Sequence, residues 1–129
     1  MNVVIDTNIL VSALWSKNGL PAKIINLVIA GVLTPCFDYR ILCEYREVLN
    51  RPKFRFSSVE VHWLLDWFVS KGYSILAVPI GTAFIDETDK KFYEVAKSCN
   101  AKLITGNIKH FPDDGIAMTA SDFLSLFQL

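Results

Sequence analysis

An α/β fold, with a mostly parallel central sheet of four to five strands and helices on both faces, is predicted by three observations. The β-branched run Val3-Val4-Ile5 stops abruptly at Asp6-Thr7-Asn8 and gives way to helical spacing. Short apolar runs then alternate with helix-like stretches along the whole chain, the order that builds parallel strands joined by crossover helices. No internal repeat, low-complexity tract or linker interrupts the alternation, so residues 1–129 are expected to form a single domain.

Each element follows from local signals. After the first strand, Asn8 to Trp15 reads as a helix, broken by Ser16-Lys17-Asn18-Gly19. Pro21 stands in the first turn of a second helix reaching Ala30, with Gly31 as its stop. Val32 to Cys36 is a short second strand, and Asp38 opens a third helix from Tyr39 to about Asn50, ended by Pro52. On that helix Ile41, Leu42, Tyr45, Val48 and Leu49 share one face, Glu44 lies on its flank, and Glu47 points to solvent. Ser57 with Glu60 forms a capping box for a fourth helix to Lys71, stopped by Gly72. Its core stripe is Val61, Leu64, Leu65 and Phe68; Trp63 and Trp67, four apart, touch each other on another side. Ser74 to Pro79 reads as a third strand. Asp86-Glu87-Thr88-Asp89 leads into a fifth helix with Phe92, Val95, Ala96 and Cys99 buried and Lys90, Lys91, Glu94 and Lys97 wet. Lys102-Leu103-Ile104 is the fourth strand, Gly115 to Thr119 a short fifth, and Ser121 caps a closing helix.

Composition excludes several classes of function. The hydrophobic content is 52% and the charge is balanced at 13 basic against 13 acidic side chains, which argues against disorder and against nucleic-acid binding by a broad basic surface. Cys36, Cys43 and Cys99 are odd in number and widely spaced, unlike a disulfide framework or a zinc knuckle. The apolar run Ile9 to Trp15 is too short for a membrane span and lacks a basic leader, so a cytoplasmic protein without membrane association is expected.

Acids recur at the ends of strands and at the starts of helices. Asp6 follows the first strand, at the sheet edge where α/β proteins bind ligands, and is equally well placed to cap the next helix. Glu44 can look inward, Asp89 borders the buried side of the fifth helix, and Thr105-Gly106-Asn107 closes the fourth strand. Asp86, one helical turn before Asp89, is a second choice for the third acid. Clustered oxygen ligands suit Mg²⁺ or Mn²⁺, which can activate water for phosphodiester hydrolysis. His62 and His110 lie far apart, and no phosphate loop or serine elbow competes. Arg51-Pro52-Lys53-Phe54-Arg55-Phe56 mixes cations with aromatics as single strands favour, or is a loop with its phenylalanines tucked under it.

Asp6-Thr7-Asn8 after an apolar strand, Glu44 in Cys43-Glu44-Tyr45-Arg46-Glu47-Val48-Leu49, Asp89 in Asp86-Glu87-Thr88-Asp89-Lys90-Lys91-Phe92, and Leu103-Ile104-Thr105-Gly106-Asn107-Ile108-Lys109-His110-Phe111 together resemble the PIN domain. Closest in design are the small VapC-like members that serve as toxins of toxin–antitoxin pairs. The resemblance spans nearly the whole chain and implies a three-layer α/β/α sandwich. It also implies a metal-dependent endoribonuclease in which Asp6, Glu44 and Asp89 hold one or two Mg²⁺ or Mn²⁺ ions. Asn8 or Thr7 would steady Asp6, with Thr105 as further support, and Asn107 occupies the family's fourth acidic place with one charge fewer. Arg51, Lys53, Arg55 and Lys109 are the candidate RNA contacts. A homodimer through Trp63 and Trp67, and an antitoxin that occludes the acids, are the partners implied. A catalytically silent PIN-fold module binding RNA or protein is the alternative. A receiver-type signalling domain fits less well, because only Asp6 stands at the first strand and Asn107 holds the late position.

Overall fold

The computed structural model describes residues 1–127. Its sheet has five strands in the order β3-β2-β1-β4-β5, all parallel: β1 (Asn2–Ile5), β2 (Thr34–Phe37), β3 (Tyr73–Ser74), β4 (Lys102–Ile104) and β5 (Ala117–Met118). The helices are α1 (Thr7–Trp15), α2 (Leu20–Ile29), α3 (Tyr39–Leu49), α4 (Ser58–Lys71), α5 (Lys90–Ser98) and α6 (Ala120–Ser125). The chain steps from β1 to β2 to β3 in one direction and returns past both to β4. With right-handed crossovers that reversal puts α5 on the face opposite α1–α4 and gives the three-layer α/β/α sandwich.

Because β1 is central, Val3, Val4 and Ile5 are wholly buried, as a continuous β-branched run demands. The β1–β4 register pairs Ile5 with Ile104, so the next residues, Asp6 and Thr105, emerge side by side at the carboxyl edge. This is where the strand order reverses and where the crevice of an open α/β sheet lies.

Three expectations are corrected. The third strand is only Tyr73–Ser74, not Ser74 to Pro79. Beyond it the chain runs extended, held through side chains: the Val78 amide donates to Ser98 Oγ at 2.9 Å and the Ile80 amide to Glu94 Oε2 at 2.8 Å. Glu94 is therefore buried, not wet, and Lys91 of the same predicted wet face is largely covered too. Glu94 also pairs with Arg40 at 2.9 Å, and Arg40 with Asp38 at 2.7 Å, a clasp joining α3, α5 and the extended segment. The cap of α6 is Thr119, whose hydroxyl accepts from the Asp122 amide at 3.1 Å, and not Ser121. Gly72, which ends α4, is required by close approach: a Cβ there would lie 2.4 Å from the Pro35 carbonyl oxygen.

Candidate active site

Acids at helix starts divide into two groups. Asp38 accepts from the Ile41 amide at 3.0 Å, and Asp86 accepts from the amide of Thr88 at 2.9 Å and from its hydroxyl at 2.7 Å; both are spent on capping. Asp6 and Asp89 stand at the N-cap positions of α1 and α5, yet neither side chain makes a capping hydrogen bond. The capping explanation of Asp6 thus fails. Its carboxylate instead accepts from Thr105 Oγ1 at 2.7 Å across the β1–β4 seam. Asp86 is exposed, and its hydrogen bonds from Thr88 hold its carboxyl below the usual range, as expected of a cap rather than a metal-site acid.

Asp6 is 4% exposed, and its pKa is pushed up to about 6. Burial is the main cause; the Thr105 hydrogen bond opposes it, and the charges of Asp89 and Glu44 add to it. Three acids far apart along the chain therefore face one another closely enough to repel. Tyr45 explains how α3 delivers its share. Fully buried, with its ring edge-on to Phe68 at 5.7 Å, it donates through its hydroxyl to the Ile5 carbonyl and ties α3 to the end of β1. Its neighbour Glu44 then meets Thr7, whose Oγ1 donates to Glu44 Oε2, while Lys91 Nζ lies 2.7 Å from Glu44 Oε1.

Asp89 is paired as well, with His110 Nδ1 at 2.9 Å from its Oδ2. His110 follows β4 in a single 3₁₀ turn, Ile108–His110. Sequence reasoning left it without a partner. The signal was its position three residues after Asn107, one turn further along the segment that supplies Thr105. Asn107 is exposed and joins the site through its backbone, its amide donating to Thr105 Oγ1 at 3.0 Å. Asn8 Oδ1 accepts weakly from the Gly106 amide at 3.4 Å, bracing the same turn. The start of α1 turns the Thr7 hydroxyl toward Glu44 of α3, while the Thr7 backbone amide and the Thr105 hydroxyl both favour the charged form of the Asp6 carboxylate.

The donor set is all oxygen and its charges are uncompensated at the buried Asp6, which suits a hard divalent cation. Among the described residues, no three His, Cys, Asp or Glu side chains stand close enough to form a ready-made cage. Lys91 and His110 already engage Glu44 and Asp89, and Asp6, Glu44 and Asp89 are the residues that would hold such an ion.

The PIN domain family profile matches residues 2–109, which includes every one of these acids. The chain belongs to the PIN domain family. An uncharacterised protein of Methanocaldococcus jannaschii is 32% identical over 110 residues, covering 83% of this chain and 71% of its own. No solved structure matches. The PIN fold is a nuclease-type fold, whose members usually depend on divalent metal, and it associates this chain with nucleic acid.

The remaining predicted residues are scattered over the PIN domain surface. Arg51 makes a two-pronged contact with Glu47, at 2.8 and 3.2 Å. Lys53 lies 5.1 Å over the Phe54 ring, Phe54 stacks on Phe56 at 5.4 Å, and Trp15 meets both edge-on. The phenylalanines thus pack beneath their loop, leaving Trp15, Lys53 and Arg55 outward. Lys109 is exposed. Trp63 and Trp67 stack at 5.6 Å, as their spacing predicts, but Trp67 is covered by α2, its Nε1 donating to the Val28 carbonyl at 3.4 Å. Only Trp63, half exposed, faces outward. No helix among the described residues is long and apolar enough to cross a membrane.

Proposed function

We propose that this PIN domain is an endoribonuclease dependent on Mg²⁺ or Mn²⁺, the toxin of a toxin–antitoxin pair. The observation that carries the reading is Asp6: buried, declining the cap it is placed to make, and facing Asp89 and Glu44. A bound divalent ion would lower the pKa of a water and offset charge at the scissile phosphate. Asp6, ionised above pH about 6 and held by Thr105, and Asp89, held by His110, would supply ligands to that ion. Glu44, fixed between Thr7 and Lys91, would be the third acid of the metal-binding set. Asn107, with Thr105 and Asn8, shapes the turn beside them. Lys53, Arg55, Lys109 and Arg51, once released from Glu47, are the phosphate contacts, with Trp15 adjacent for base stacking.

The same reading takes residues 1–129 as one cytoplasmic domain, forming a homodimer in which Trp63 is an interface residue and binding an antitoxin that covers the acids. Asp6→Asn removes the central charge while retaining an acceptor for Thr105. Purified wild type is expected to cut single-stranded RNA with Mn²⁺, and Asp6→Asn is not; undiminished cleavage by the variant sinks the proposal.

A second reading, a silent PIN-fold module that binds RNA or protein, is favoured by Asn107 and by the Lys91 and His110 side chains already seated on Glu44 and Asp89. Titration with Mn²⁺ separates the two: neither binding nor cleavage points to the silent module.

A further inference from the structure

Lys91 is the one cation that α5 sends into the acid cluster by a short contact to a carboxylate. Its neighbour Lys90 pairs with the exposed Glu87 at 3.5 Å. Lys91 is different: its side chain is 13% exposed, its ammonium lies 2.7 Å from Glu44 Oε1 and 5.0 Å over the Phe92 ring, and it donates to the Thr88 carbonyl, the residue before Asp89. It therefore bridges the acid of α3 to the turn that carries the acid of α5. Thr7 holds the other oxygen of Glu44, so both oxygens of that carboxylate are occupied by donors of this chain.

Two consequences of opposite sign follow. A fixed ammonium orients Glu44, which favours whatever Glu44 does in the reaction. The same positive charge, a few ångströms from where a second cation would sit, opposes that cation by Coulomb repulsion. We propose that Lys91 is a positioning residue that fixes Glu44 for cleavage and, as an internal counter-ion, weakens the site's affinity for divalent metal. The inference rests on the nuclease reading above.

The test begins with metal binding in the absence of RNA. Metal-free wild type, Lys91→Met and Lys91→Arg are titrated with MnCl2 by calorimetry, and RNA cleavage is then measured at saturating Mn²⁺. Lys91→Met is expected to bind Mn²⁺ on the order of tenfold more tightly, the effect of removing one unit charge several ångströms from a divalent ion. It is also expected to cleave at least about tenfold more slowly, as displaced positioning groups do. Lys91→Arg, which keeps the charge, should bind Mn²⁺ like wild type and recover part of the rate. A purely structural lysine would give weaker binding and slower cleavage together, and Mn²⁺ affinity in Lys91→Met no higher than wild type overturns the inference.

If Lys91→Met does not fold, Glu44→Gln is compared with Glu44→Gln/Lys91→Met, which removes both members of the pair; the double variant should again bind Mn²⁺ more tightly, and equal affinities overturn the inference. Tighter Mn²⁺ binding with no RNA cleavage by any variant, wild type included, upholds the charge effect while refuting the nuclease reading. Absence of Mn²⁺ binding in all of them overturns both.

Discussion

Asp6 stores a conflict between stability and charge that can be measured without knowing the substrate. Its pKa is raised from 3.8 to about 6 in the folded protein, chiefly by burial. The folded state therefore holds this proton more tightly than the unfolded chain does. The resulting stabilisation is complete below pH 3.8 and is lost as pH rises through about 6. The full difference corresponds to about 3 kcal/mol, of which roughly 1 kcal/mol has gone by pH 4.5 and nearly all by pH 7.5. Asp6→Asn removes the titration and still accepts from Thr105. Its stability advantage over wild type should thus widen by about 2 kcal/mol between pH 4.5 and 7.5. Urea unfolding followed by tryptophan fluorescence, in EDTA at several pH values, measures this difference free of any constant offset. A gap that stays constant across that range refutes the claim that Asp6 is buried against other acids. Saturating Mn²⁺ at about 100 times its dissociation constant should return about 2.7 kcal/mol to wild type and much less to the variant.

Two further outcomes concern the scaffold. Arg40→Met strips the partner from buried Glu94; a fully buried pair would lose about 3–5 kcal/mol, and because Arg40 is 50% exposed a loss of about 2 kcal/mol is expected. Thermal unfolding reads it, Arg40→Met/Glu94→Gln should recover at least half, and an unchanged midpoint for Arg40→Met would remove the clasp from the list of stabilising contacts. Tyr45→Phe leaves the Ile5 carbonyl without its buried donor, costing about 1–3 kcal/mol. Cleavage should fall with it, since α3 loses its tie to β1; a variant as stable and active as wild type would show that Glu44 is placed by other means.

Legibility from sequence followed the range of the interaction. The central strand and the cap at Ser57 depend on a local apolar run and a short-range hydrogen bond, and both could be read directly; the pairing of Ile5 with Ile104, which sets Asp6 beside Thr105 across 99 residues, could not. Ser74 to Pro79 alternates like a strand because Ile75 and Ala77 pack inward while Leu76 and Val78 face out. The Ile75 amide still donates to the Phe37 carbonyl at 2.9 Å, but beyond it the Val78 and Ile80 amides bond to the Ser98 and Glu94 side chains, which no periodicity reveals. Glu94 looked wet on the helical wheel of α5 because its partner Arg40 lies 54 residues away, on another helix. At the acid cluster, Asp6 and Asp89 were legible as acids at a strand end and a helix start, and Glu44 from its place on the flank of the apolar face of α3. Lys91 and His110, the side chains that engage two of them, depend on pairings across 47 and 21 residues and were not.

The central place of β1 bears on how such a chain is made. β1 completes its pairing only with β4, about a hundred residues later in the chain, when Asp6 donates its amide to the Ile104 carbonyl and its carboxylate receives the Thr105 hydroxyl. Contacts so distant in sequence close late. A polypeptide that ends before β4 lacks the Thr105 hydroxyl beside Asp6, so the acid cluster is not assembled until that strand has been made. Chains truncated before residue 102 should accordingly show neither Mn²⁺ binding nor cleavage, and either property in such a fragment would argue for earlier assembly.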